Sequence, residues 1–175
     1  VIGKASGPNQ YTNSPNARID GFTITGGDHG GGINVNGYGR YLEISNNRVS
    51  GNAGFYAGGI RIGQPNLAFD PPGCGAIDYV NANNNNTNIH NNQITDNGGQ
   101  EGAGGGLLLC TGATNYKVLG NWVCGNFSLG DGGGIAHYGL SNNGRISGNT
   151  VILNQSFKDR KSKLLNDSHT DIYRI

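Results

Sequence analysis

Charge is scarce in this chain: 13% of its 175 residues are Asp, Glu, Lys or Arg, and the net charge is +1. That balance gives no reason to invoke nucleic acid. No apolar run approaches the roughly 18 residues that a membrane-spanning helix needs. Methionine is absent and tryptophan occurs once. The three cysteines, Cys74, Cys110 and Cys124, lack C-x-x-C spacing, so neither zinc nor a fixed disulfide framework follows. One disulfide with one free thiol, and three reduced thiols, both stay open. No segment of the repeats keeps a 3.6-residue apolar period, which argues against helices. The 33 glycines follow no Gly-X-Y register, and the regular apolar spacing argues for an ordered core rather than low complexity. The first residue is Val1, with neither Met nor a signal peptide after it; either a leader was removed or the chain is a segment of something longer.

What the chain does have is repetition. A nine-residue pattern, apolar-x-x-Asn-x-(Val/Ile)-x-x-Asn, recurs as Ile44-Asn47-Val49-Asn52, Ile89-Asn92-Ile94-Asn97, Val118-Asn121-Val123-Asn126 and Ile146-Asn149-Val151-Asn154. Ile19-Phe22-Ile24-Gly27 is a weaker first copy. A Gly-Gly motif alternates with it, leading into Ile33-Asn34-Val35, Ile60-Arg61-Ile62, Leu107-Leu108-Leu109 and Ile135-Ala136-His137. Successive copies of the first pattern lie 25, 45, 29 and 28 residues apart. One coil therefore takes 25 to 29 residues, and one coil carries an insertion of about 20. Short β-branched segments with alternating polarity read as strands. The spacing predicts an all-β, right-handed parallel β-helix of about five coils, in which each coil adds roughly five to seven inward apolar side chains worth about 1.5–3 kcal/mol each when buried.

The Asn positions have a mechanical reading. A strand that bends sharply needs a residue outside the β region, and Asn tolerates the left-handed conformation better than most. Stacked about 4.8 Å apart, Asn47, Asn92, Asn121 and Asn149 form one hydrogen-bonded ladder, and Asn52, Asn97, Asn126 and Asn154 a second. Sequons such as Asn126-Phe127-Ser128 fall on the ladder, where a glycan has no room. The organisation expected is a lead-in over 1–18, the β-helix over 19–157 with an insertion at about 64–86, and a charged tail or cap over 158–175. An open solenoid end exposes strand edges, so it needs a cap or a second chain.

The alternation of Gly-Gly-Gly-Ile-Ala with Arg-Ile-Ser-Gly-Asn-Thr-Val, and the opening Ile-Asp-Gly-Phe-Thr-Ile, resemble the right-handed β-helix repeat of the pectin lyase-like superfamily over residues 19 to 157. That group holds polysaccharide lyases, glycoside hydrolases, epimerases, phage tailspikes and many bacterial secreted or surface proteins of unassigned role, and the chain looks most like the last. The resemblance implies a secreted or cell-surface location. The catalytic signatures of the enzymes do not carry over. Asp28-His29-Gly30 and Arg145-Ile146-Ser147 are fragments of polygalacturonase-like elements, there is no Arg-x-Pro-x-x-Arg run, and Phe69-Asp70-Pro71-Pro72 has Pro where an epimerase-like site has His.

Alignment on the Gly-Gly motif supplies the candidate residues. The loops entering that strand present Asp28-His29, Phe55-Tyr56, Gln100-Glu101 and Asp131. Glu101 and Asp131 fall on consecutive coils, about 5–7 Å apart given a rise of about 4.8 Å. They are candidates for an acid pair of a glycosidase, with His29 or Arg61 assisting. With Asp28 they are also candidate Ca²⁺ ligands, since that ion takes several hard oxygens; equally, they serve as polar loop residues satisfying backbone N–H groups. No other cofactor is expected. Asn34, Arg61, Leu108 and Ala136 form one outward row, and Arg48, Gln93, Trp122 and Thr150 another. Arg61, Gln93, Trp122 and, from the insertion, Asp78 and Tyr79 are candidate sugar contacts, with Trp122 stacking on a ring or packing against a partner. His137 occupies an inward slot. No Thr-x-Thr row of the kind an ice-binding surface needs is present. Three functions follow: a carbohydrate-associated or structural module, a polysaccharide lyase or hydrolase, and an assembly or adhesion segment forming homo-oligomers or part of a larger protein.

Overall fold

The structure, a computed structural model, describes residues 17–37, 39–63, 83–100 and 102–157, together with the backbone of the strands at 68–69 and 78–79. Among these residues every regular element is a short strand, and the chain is a parallel β-helix. Four sheets run along the axis. The first holds Arg18–Asp20, Glu43–Ser45, Asn88–His90, Lys117–Leu119 and Arg145–Ser147. The second holds Thr23–Ile24, Arg48–Ser50, Gln93–Thr95, Trp122–Cys124 and Thr150–Ile152. The third is made by Ala53–Gly54, Gly98–Gly99, Phe127–Ser128 and Gln155–Ser156, and the fourth by Ile33–Val35, Ile60–Ile62, Leu107–Leu109 and Ile135–His137. Two sheets of five strands and two of four make about four turns rather than five, because among the described residues the first coil has no strand in the third sheet and the last has none in the fourth.

The register follows the repeat alignment residue for residue. Ile19, Ile44, Ile89, Val118 and Ile146 stack in the first sheet, and Ile24, Val49, Ile94, Val123 and Val151 in the second. With Ile33, Ile60, Ile62, Leu107 and Leu109 of the fourth sheet they fill the axis of the cylinder. Such burial is worth roughly 25 cal/mol per Å² of apolar surface, and in a solenoid each coil gains it from its neighbours alone.

Both Asn ladders are present, with a geometry that corrects the expected cause. Each ladder Asn of the second to fourth coils donates its backbone N–H and its Nδ2 to the Oδ1 of the Asn one coil on: Asn47 to Asn92 at 3.0 Å for both, and Asn97 to Asn126 at 3.0 and 2.9 Å. The left-handed residue is the one before each ladder Asn: Asn46, Asn91, Gly120 and Gly148 at one corner, Gly51, Asp96, Gly125 and Leu153 at the other. A turn residue that swings out leaves the following Asn pointing inward, where its amide satisfies the buried corner. Asn126, at the sequon, is buried.

The run Asn83–Asn86 belongs to a coil corner and not to the insertion. Asn84 is fully buried and accepts from the Gly39 N–H at 2.8 Å, while Ser141 takes the same role toward Ala113 at 2.9 Å. Within the insertion, Ala68–Phe69 pairs antiparallel with Asp78–Tyr79. The lead-in 1–16 and the tail 158–175 lie outside the described residues, and the first strand already begins at Arg18.

Candidate functional site

The outer face of the second sheet is the most exposed regular surface bearing side chains of binding type. Alternation along each strand turns Val49, Ile94, Val123 and Val151 inward, so the residue before each points out. Thr23, Arg48, Gln93, Trp122 and Thr150 thereby stand in one row, in register, one per coil. All five are exposed, and Trp122 keeps 44% of its surface open. At about 4.8 Å per coil, Gln93 is one step from the indole and Arg48 two steps, about 10 Å. Arg48 makes no side-chain hydrogen bond or ion pair among the described residues. The indole offers an apolar plate and the row beside it offers donors.

Arg61 does not join this surface. Its strand lies in the fourth sheet, separated from Gln93 and Trp122 by the third. The row Asn34, Arg61, Leu108 and Ala136 is in register as expected, but it is largely covered. Leu108 is fully buried in a second apolar cluster with Ala57, Ala103 and Cys110, against which Tyr56 and Ala136 pack. The loops before the Gly-Gly motifs fold back over the sheet, which the strand pattern alone does not reveal. The Arg61 guanidinium donates to Asn34 Oδ1 at 3.0 Å and Asn36 Oδ1 at 2.8 Å and lies 5.8 Å from the Tyr56 ring centre. Burial lowers its pKa, opposed by the nearby Cys110 and Tyr56. These contacts make Arg61 a clamp on its own sheet.

The acidic candidates are dispersed. Asp28 and His29 form an exposed pair at 3.5 Å in the first coil, with His29 in the left-handed conformation. Asp131 sits three coils further along, about 14 Å at the β-sheet spacing, and its carbonyl accepts from the Gly104 N–H at 3.0 Å. Asp28 and Asp131 therefore cannot share one cation. Among the described residues no three His, Cys, Asp or Glu side chains gather. Glu101 and Cys74 lie outside the described residues, as do the side chains of Asp78 and Tyr79.

His137 occupies the inward register position of Leu109 and Ile62, yet it is exposed, its strand being the last of the fourth sheet among the described residues. Its Nδ1 meets Tyr116 Oη at 3.3 Å, and burial raises the Tyr116 pKa. Cys110 and Cys124 are free thiols; burial pushes Cys110 up to about 12, with Arg61 pulling the other way.

One polar cluster was not anticipated. On the outer face of the first sheet, Glu43 meets His90 at 2.7 Å and Arg18 at 3.7 Å, and Arg18 meets Asp20 at 3.3 Å. Hydrogen bonds from Ser45 and Asn46, both at 2.8 Å, lower the Asp20 pKa, with Arg18 adding to the effect. The alignment that stacked Ile19, Ile44 and Ile89 already set Arg18 beside Glu43 and Ser45 beside His90. The signal lay in the polar flanks of the same strands.

Fold and surface together define a parallel β-helix with Asn ladders and an exposed outer row on the second sheet that carries the sole Trp. Comparison with protein-family models, with curated proteins and with solved structures gives no match. No helix among the described residues is long and apolar enough to cross a membrane.

Proposed function

We propose that the chain is a carbohydrate-binding β-helix module, secreted or held at a cell surface, and that polysaccharide lies along the second sheet. The observation that carries this is the half-open indole of Trp122, aligned with Gln93 and Arg48 at one residue per coil. A pyranose ring presents an apolar face of C–H bonds to an aromatic plate, while its hydroxyls seek amide and hydroxyl partners at the side. The coil spacing is close to the length of one sugar ring, so Trp122 holds one unit and Gln93 the next. Arg48 then meets the third, where a uronate carboxylate fits its planar fork of donors. Acidic polysaccharides are the preferred class. The nine-residue pattern and the ladders also support membership of the pectin lyase-like superfamily.

Screening the folded chain against an array of polysaccharides, uronic-acid polymers included, tests the reading. Binding to an acidic polymer is expected to fall at least tenfold in Trp122→Ala and to lose most of its salt sensitivity in Arg48→Ala. A blank array, or binding unchanged in Trp122→Ala, overturns it. Turnover of the bound polymer that is lost in Asp131→Asn with the fold intact favours a lyase or hydrolase instead.

A further inference from the structure

The corner that leads into the first sheet holds one chemically unguarded step. Tyr41, Asn86, Asn115 and Asn143 take the same position there, coil after coil, each in the left-handed conformation with φ of 59°, 62°, 60° and 55°. The residue that follows faces the core, and Leu42, Thr87 and Tyr116 are buried. Gly144 takes that place after Asn143, where a Cβ would overlap the Tyr116 ring of the coil before. The Leu42 and Tyr116 N–H groups donate within their own turn, to the carbonyls of Gly39 and Ala113, both at 3.2 Å. The Gly144 N–H has no acceptor among the described residues, and the Asn143 side-chain amide has no hydrogen-bond partner among them. Asn115, with a coil on either side, is exposed as Asn143 is. The exposure of Asn143 therefore belongs to the outward corner position and not to the end of the β-helix.

The chain has three Asn-Gly steps, at Asn36, Asn97 and Asn143, and the fold treats them differently. Asn97 is buried in its ladder: its Nδ2 donates to the Val49 carbonyl and to Asn126 Oδ1, both at 2.9 Å, and its Oδ1 accepts from Asn52 Nδ2 at 2.9 Å. The Gly98 N–H beside it donates to the Asn52 carbonyl at 2.9 Å. Asn36 is exposed, but the Arg61 guanidinium holds its Oδ1 at 2.8 Å. At Asn143 neither the amide nor the following backbone nitrogen is engaged.

We propose that Asn143 is a self-modification site, which converts to aspartate and isoaspartate without an enzyme. The Gly144 backbone nitrogen, having given its proton to hydroxide, attacks Asn143 Cγ; the Cγ–Nδ2 bond breaks, and ammonia leaves with a proton taken from water. Glycine puts no Cβ in the path of ring closure, and the attack is intramolecular, so no second reactant has to be positioned. Water then opens the five-membered imide at Cγ, which gives aspartate, or at the main-chain carbonyl, which gives isoaspartate. The net change is one water consumed and one ammonia released, with no oxidation or reduction. The product sets a carboxylate two residues before Arg145, which is exposed and makes no ion pair among the described residues. Residues 132–157 hold no other Asp or Glu, and the net charge of the chain falls by one from +1. Nothing in this chemistry involves the Trp122 row, so it stands or falls independently of carbohydrate binding.

The test is incubation of the folded full chain in mildly alkaline water enriched in heavy oxygen, followed by peptide mapping with fragmentation that separates aspartate from isoaspartate. Heavy oxygen is expected to enter at Asn143 at least tenfold faster than at Asn36 or Asn97, in a mixture of both isomers, and faster as pH rises. In urea the selectivity is expected to vanish, with all three Asn-Gly steps converting at comparable rates. Asn143→Gln, whose side chain would have to close a larger ring, is expected to lose the fast release of ammonia and to keep the parent unfolding midpoint. Three results overturn the proposal. Asn36 or Asn97 converts as fast as Asn143 in the folded chain; Asn143 stays intact there while the urea-unfolded chain converts; or aspartate forms with no isoaspartate, which direct hydrolysis of the side-chain amide would give.

Discussion

Each ladder Asn does work that no other side chain of its size does. Asn92 accepts two hydrogen bonds from Asn47 and donates to Asn121 and to the carbonyls of Ile44 and His90. Asn92→Ala leaves the Asn47 N–H buried without a partner, and a buried unsatisfied group costs about 1–3 kcal/mol on top of the lost bonds. Urea unfolding is expected to give a loss of about 3 kcal/mol or more for Asn92→Ala, and clearly less for Asn149→Ala, which is half open to water. Equal losses would contradict the ladder account. Cys110 and Tyr116 make a prediction in pH. Their pKa values are raised in the folded state, Cys110 from 9.0 to about 12. Above the unfolded thiol pKa the unfolded chain releases a proton that the folded chain keeps, so folding stability falls as pH rises past about 9. Cys110→Ala is expected to flatten that decline. Alkylation of the native chain at neutral pH is expected at half-exposed Cys124 and not at buried Cys110, as peptide mapping reports.

Strands of two or three residues are stable in the β-helix because each is hydrogen-bonded in register to the coils beside it. The loop backbones pack just as closely. A Cβ on Gly58 would overlap the backbone of Gly98, whereas one on Gly30 meets nothing nearer than the Asp28 carbonyl at 3.9 Å. Gly58→Ala is expected to lower stability by about 2–3 kcal/mol and Gly30→Ala to change it by less than about 0.5 kcal/mol, both read from denaturant midpoints. Much of this scale was legible in the sequence. The spacing of Ile44, Ile89 and Val118 sets the register, because apolar residues of a solenoid must stack or be exposed. The outward position of Trp122 followed from the same alternation. What stayed hidden depends on how loops fold back. Leu108 reads as an outward residue, and only the path of the loops at Tyr56–Ala57 and Ala103 buries it. The left-handed turn position also escaped, since Asn, Gly, Asp and Leu all occupy it and leave no shared letter. A linear repeat does not show which sheet separates two rows, so the sequence alone does not part Arg61 from Gln93 and Trp122.

At the scale of the whole molecule the β-helix has a buried axis, and among the described residues its outer faces differ in how far they are covered. The fourth sheet is shielded by its own loops, the first carries the Arg18–Asp20–Glu43–His90 cluster, and the second presents Trp122 to solvent with Gln93 and Arg48 in line. A rigid cylinder that repeats every 4.8 Å or so matches a polymer with a repeat of similar length, so binding is expected without backbone rearrangement. Trp122 is the only tryptophan in the chain, so its fluorescence reports this face alone. The most direct test is therefore titration of the native chain with an acidic polysaccharide while following Trp emission and acrylamide quenching. The account predicts a saturable blue shift and reduced quenching, absent with a neutral polymer at the same concentration. A polysaccharide that binds the chain while the emission and quenching of Trp122 stay unchanged would contradict it.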